Sequence, residues 1–259
     1  MIRKVFLLSI AVSTAIVVIF IQQFFSVNKP AKEYCKINNT IYTFKLPVSD
    51  DGKEGCVIEL NIPDTTVSGR IIYKKLIGND DWTEIRLVRN ENLISMLPKQ
   101  KPNTKLQYYI ELNSKGKVFF LAHKKPVILR FQQEVPKFIQ YPYMILMFLA
   151  LVLSIYVGLL ALLKIENYKK YSLYVFYLFL GGACVLNLIV FFISFHKLVV
   201  RFDANNDLTV YRNLLIFLFW LGVFYINRKK ENRYISLFVS IITLLIFILP
   251  QNILFHWLL

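Results

Sequence analysis

Five apolar runs in this chain are candidates to cross a bilayer, and they leave one stretch, residues 28–141, where a water-facing domain can form. The runs are Val5 to Ile21, Tyr143 to Leu163, Leu173 to Phe195, Leu214 to Ile226 and Tyr234 to Pro250. A helix rises 1.5 Å per residue, so about 20 residues cross the hydrocarbon. The second and third runs meet that length outright. The fourth starts a turn earlier than its apolar core, and both it and the fifth draw on interfacial Tyr211, Trp220, Tyr225 and Trp257. The expected fold class is therefore a five-span α-helical membrane bundle plus one all-β domain. Its divisions are an anchor at 1–27, a β-domain at 28–141 and a four-helix bundle at 142–259.

The first run sits behind a basic tip, as a signal sequence does, but "FIQQFFSV" offers bulky residues where a signal peptidase needs small ones. It reads as a retained signal anchor. Orientation follows from Lys and Arg in the short links. With the N-terminus cytoplasmic, the inner links hold Arg3, Lys4, Lys164, Lys169, Lys170, Arg228, Lys229, Lys230 and Arg233, whereas the short outer loop holds Lys197, Arg201 and Arg212. The expected location is a bacterial inner (cytoplasmic) membrane, with the β-domain and the C-terminus in the periplasm. This geography also accounts for the net charge of +15, since no basic stripe interleaves with base-stacking aromatics. Nucleic acid is not an expected partner.

Between the first two spans the period changes to alternation. "TIYTFKL", "CVIELNI", "GRIIYKKL", "TEIRLV", "LISML", "KLQYYIEL", "KVFFLA" and "VILRFQ" are eight short runs rich in β-branched and aromatic residues. Turn-forming stretches such as "SDDGKEG", "IGNDD" and "NSKGK" separate them. That spacing predicts an antiparallel sandwich. In "EIRLV" it turns Ile85 and Leu87 inward and Glu84 and Arg86 outward.

The run from "YKKLIGNDDWTEIRL" to "KLQYYIEL" resembles fibronectin-III and immunoglobulin-like modules. The resemblance implies that Trp82 is a core or sheet-edge aromatic and that Tyr108 or Tyr109 is a corner tyrosine. Through "TVSG", "NDDWTE", "LPKQKP", "KLQYYI", "FLGG" and "NDLT" the whole layout resembles uncharacterised Bacteroidetes-type inner-membrane proteins. Those have an N-terminal anchor, a periplasmic Ig-like domain and four C-terminal spans. In that family "DLT" runs on into Asp-Asn-Lys and a His follows the last Pro. This chain has Val210, Tyr211 and Arg212, and then Gln251, at those places. The resemblance implies a layout and carries no activity.

Candidate sites are few. Cys35 and Cys56 fall in the exported domain, where they are either a disulfide or two buried thiols; Cys184 lies within the third span. No CxxC motif occurs. His196 and His256 are assigned to the outer membrane surface, where a pair could ligate metal or haem, but rim positions suit an interfacial imidazole better. The outer loop carries Arg201, Asp203, Asp207 and Arg212; it reads as a docking loop or, more simply, as a link whose "DLT" caps the fourth span. Within the spans Asn187 is the strongly polar residue, and with Gly181 and Gly182 it reads as a close-packing, hydrogen-bonding face for another helix. No acid, Lys, Arg or His lies at mid-depth, so no proton relay or membrane hydrolase is indicated and no cofactor is expected.

Two functions follow as expectations. The favoured one is a non-catalytic membrane component whose sandwich binds other integral membrane or periplasmic proteins. The alternative is a membrane enzyme or a haem- or metal-binding subunit using residues 196–213 and the C-terminal tail.

Overall fold

A computed structural model of the chain describes residues 2–24, 30–38, 40–51, 54–78, 80–102, 104–195, 209–229 and 231–249. The chain divides into two compact units, one helical and one built on Val27–Glu134.

The second unit is all β. Its strands are β1 (Ala31–Ile37), β2 (Thr40–Leu46), β3 (Ser49–Asp50), β4 (Gly55–Leu60), β5 (Ser68–Lys75), β6 (Thr83–Arg86), β7 (Val88–Arg89), β8 (Leu93–Pro98), β9 (Lys105–Ser114), β10 (Lys117–Leu121) and β11 (Val127–Phe131). β1 and β2 form a hairpin, β4-β8-β7 a three-stranded sheet, and β3-β11-β9-β5-β6 a larger sheet to which β10 is added along β9. Every pairing is antiparallel except β3 with β11. The inward residues of all three sheets meet in one core. Ile37 and Leu46 come from the hairpin, Ile58 and Leu97 from the small sheet, and Ile71, Ile110 and Phe131 from the large one. Each such side chain contributes about 1.5–3 kcal/mol by leaving water.

The passage from Ser68 to Arg89 explains how the sheets are joined. β5 and β6 pair from Arg70↔Arg86 to Tyr73↔Thr83, and the chain then leaves the large sheet. Leu87 donates its N–H to Gly69 O at 2.9 Å, and Val88 pairs with Ile94 of the small sheet. Gly69 is required at this crossing. A Cβ there would stand 2.7 Å from Leu112 Cδ2, 2.8 Å from Glu111 O and 2.9 Å from Leu87 Cδ1.

The helical unit contains α1 (Ile2–Phe24), α2 (Lys137–Leu162), α3 (Tyr168–Phe179), a π-helical segment (Leu180–Leu186), α4 (Asn187–Phe195), α5 (Thr209–Lys229) and α6 (Arg233–Ile248). Four stretches are long and apolar enough to cross a bilayer: Ile2–Gln22, Lys137–Leu162, Tyr168–Phe195 and Val210–Lys229. The chain thus has the make-up of a membrane protein. The fifth expected span is the shorter helix Arg233–Ile248, which at 16 residues reaches ~24 Å.

One expected boundary moves. α2 starts at Lys137, inside the stretch assigned to the β-domain, and runs through Pro142. This early in the helix, Pro142 forfeits a single backbone bond. α1, the expected anchor, packs with the other helices of its unit. Leu7, Ala11, Ala15 and Val18 form its buried stripe, and Gln22 Nε2 donates to Phe247 O at 2.7 Å. The small alanines let α1 and its neighbours approach closely.

Candidate functional site

The outer faces of the two larger β-sheets differ in kind. On the large sheet, Arg70 of β5 lies between Glu84 of β6 and Glu111 of β9, with its Nη2 donating to the Glu111 carboxylate at 3.0 and 3.1 Å. Those carboxylates hold the guanidinium pKa above its ordinary value, Glu111 most strongly. Beside the triad a row of rings crosses the sheet: Trp82 to Tyr109 at 5.1 Å, Tyr109 to His123 at 4.9 Å and His123 to Phe120 at 4.7 Å. Lys74 Nζ stands 4.9 Å above Trp82. Charges and rings satisfy the part of this surface around β5 and β6, while Val118 and Phe120 of β10 and Ile128 of β11 stand 48%, 49% and 38% exposed along its other side.

The small sheet is different. Register places Val57 of β4 opposite Met96 of β8, and Ile94 of β8 opposite Val88 of β7. Cys56, Ile58 and Leu60 take the inward positions, so Val57 faces out; likewise Leu93, Ser95 and Leu97 turn inward and leave Ile94 and Met96 outside. Val57, Met96 and Val88 are 56%, 51% and 68% exposed. An antiparallel sheet with one wet face should alternate apolar with polar. Here Glu59 is the charged residue on an outer face otherwise built of aliphatic side chains. The sequence carries a signal of this face, because "CVI" and "LISML" are nearly continuous apolar runs.

Several expected site residues take other roles. Cys35 and Cys56 are free, buried thiols rather than a bonded pair. They belong to different ladders, β1 with β2 and β4 with β8, and face the common core. Burial raises the pKa of both, and that of Cys56, with the Asp50 charge adding, is pushed up to about 12. Of the two expected places for Trp82, core or sheet edge, it takes the edge, 43% exposed just before the edge strand β6. Of the two tyrosines, Tyr108 is buried and Tyr109 lies in the outer ring row. Tyr108 Oη donates to Pro47 O at 2.9 Å. That acceptor is far upstream in sequence, whereas a corner tyrosine bonds a few residues back.

In the helical unit Gly181 and Gly182 do face another helix, and that helix is the chain's own α2. Cβ atoms there would approach Leu146 and Met147 within 3.2 to 3.5 Å. The adjacent glycines sit in the π-helical segment, which closes with the Asn187 N–H bonded to Gly182 O, five residues back. Asn187 is buried at the junction of α2, α4 and α5. Its Nδ2 donates to Val210 O at 3.3 Å, and its Oδ1 accepts from Asn213 Nδ2 at 3.2 Å and Tyr143 Oη at 3.4 Å. Asn213 also donates to Tyr143 Oη at 2.8 Å. Arg212, expected in the docking loop, lies within α5 and is buried with its guanidinium 5.2 Å from the Phe247 ring. His196, Arg201, Asp203, Asp207 and His256 lie outside the described residues, as does the side chain expected to cap α5.

Sequence reading missed three further cross-helix contacts. Trp220 Nε1 donates to Thr243 Oγ1 at 3.0 Å, Asn227 Nδ2 to Ser236 Oγ at 2.9 Å, and Gly158 of α2 closes against Ser240 of α6. Small and hydroxyl residues recurring along one face were the available signal. No group of three or more His, Cys, Asp or Glu suited to a metal occurs among the described residues. No protein-family model, curated protein or solved structure matches the chain.

Proposed function

We propose that this chain is a non-catalytic component of a bacterial inner membrane, whose β-unit docks a periplasmic or membrane-bound protein partner. The observation that carries this reading is the aliphatic outer face of the small sheet, formed by Val57, Ile94, Met96 and Val88. Aliphatic side chains held in water at adjacent sheet positions are costly unless something covers them, and exposed patches of this kind mark interaction surfaces. In this reading the β-unit is an Ig- or fibronectin-III-like sandwich, and α6 makes a fifth crossing. The helices pack into a larger assembly through lipid-facing side chains.

The distribution of charge supports this orientation. Lys169 of α3 pairs with Glu231 at 3.2 Å, just beyond the end of α5, so the start of α3 and the end of α5 share one end of the unit. Gln22 bonded to Phe247 and Arg212 stacked on Phe247 bring the end of α1, the end of α6 and the start of α5 together at the other. The basic links around Lys164, Lys169 and Arg228 therefore gather at one end, which we assign to the cytoplasm.

The test is a mild-detergent pull-down with mass spectrometry, run in parallel on wild type and on a Val57→Glu, Met96→Glu variant. A membrane or periplasmic protein retained stoichiometrically by wild type and lost by the variant supports the reading, provided both forms melt alike. Equal retention by both removes the small sheet as the docking face.

A further inference from the structure

We propose that the cleft between the start of α3 and the end of α5 binds an anionic phospholipid by its phosphate headgroup. The inference goes beyond the docking reading and depends only on α3 and α5 lying in a bilayer. The cleft encloses about 720 Å³ and has two chemically distinct zones. At the helix ends its wall carries Lys169, Lys170 and Arg228; further along α3 and back along α5 it carries Leu173, Tyr177 and Phe224. From Lys169 to Tyr177 the helix rises ~12 Å, enough to pass from a headgroup layer into hydrocarbon. A wall that changes from cationic to apolar over that distance matches an amphiphile with a phosphate at one end and an acyl chain at the other.

The charged zone has capacity for an anion. Glu166 and Glu231 also line it, and Glu231 is engaged by Lys169 at 3.2 Å. Arg228 has no ion pair among the described residues, and its planar fork suits phosphate oxygens. The end of α3 opens the same way. Its N-cap, Asn167, is in the left-handed region at φ 72° and makes no side-chain cap hydrogen bond, so the first-turn N–H groups lack that acceptor.

A separate observation points to a ligand. Ser172 lines the cleft and is only 4% exposed, yet its hydroxyl takes part in no hydrogen bond among the described residues. The oxygen is open to the cleft rather than sealed within the protein, so a headgroup oxygen bound there can reach it. A free phosphate ion would satisfy the charged zone but leave Leu173, Tyr177 and Phe224 uncovered, which is why the assignment is to a lipid.

The test uses the full chain, purified in mild detergent and stripped of lipid. Native mass spectrometry follows the binding of dioleoylphosphatidylglycerol, dioleoylphosphatidylcholine and inorganic phosphate. The expected result is one phosphatidylglycerol per chain, preferred over phosphatidylcholine by about tenfold, with a similar loss in a Lys170→Gln, Arg228→Gln variant. Inorganic phosphate should not displace it. Photoactivatable phosphatidylglycerol on the unaltered protein should crosslink to α3 or to the end of α5, which decides the matter even if the variant fails to fold. Equal binding of the two lipids, displacement by inorganic phosphate, or crosslinks scattered over the other helices would overturn the proposal.

Discussion

Arg89 shows how much a single side chain holds in the β-unit. Its guanidinium donates to the carbonyls of Ile62 at 2.6 Å, Asp64 at 2.9 Å and Val67 at 2.7 Å, tying the loop after β4 to β7. Arg89→Ala leaves these carbonyls without their donor and should cost about 2–4 kcal/mol, read as a lower urea midpoint of the β-unit. Lys should not restore it, because one ammonium cannot span the fork. Cys56 gives a pH-dependent test. Its folded pKa is about 12 against 9.0 for a free thiol, so the unfolded chain loses the proton first. The resulting stabilisation is complete below pH 9.0 and is lost as pH rises towards 12. Across that window wild type should lose urea resistance more steeply than Cys56→Ala; parallel curves would contradict the burial. At this scale the sequence told faces apart but not depths. Alternation put Tyr108 and Tyr109 on opposite faces, yet which face was buried depended on strands far away in the chain.

Among the elements, the strands were the more legible. The eight alternating runs all became strands because their period matches a half-buried sheet. β1 was missed because "AKEYCKI" is rich in charge and polar groups, and only its pairing with β2 brings Cys35 and Ile37 into the core. "TEIRLV" read as one strand but divides between two sheets at Leu87, a break imposed by tertiary packing around Gly69. The helices showed their apolar content clearly and their partners hardly at all. Asn187 was visible as a polar residue in a span, whereas Tyr143 and Asn213, which complete its network, looked like ordinary interfacial residues. Asn187→Leu should break the seam joining α2, α4 and α5 and strand the Asn213 amide. A loss of about 1–2 kcal/mol is expected, measured as faster unfolding in mixed detergent and sodium dodecyl sulfate. No change would mean that the network is incidental to packing.

For the molecule as a whole, the sequence yielded the class, a group of apolar helices with one β-unit inserted after the first. It could not yield the aliphatic face proposed for docking, because exposure of Val57 and Met96 depends on which side of the small sheet meets the core. The account requires that this face look out of the cell's cytoplasm. Met96→Cys in a Cys184→Ser background provides the most direct test, since Cys184 is a partly exposed thiol whereas the native Cys35 and Cys56 are buried and poorly ionised. A membrane-impermeant maleimide should label Met96→Cys in intact spheroplasts and fail to label it in sealed inside-out vesicles. Labelling confined to the inside-out vesicles would place the β-unit in the cytoplasm and contradict the account.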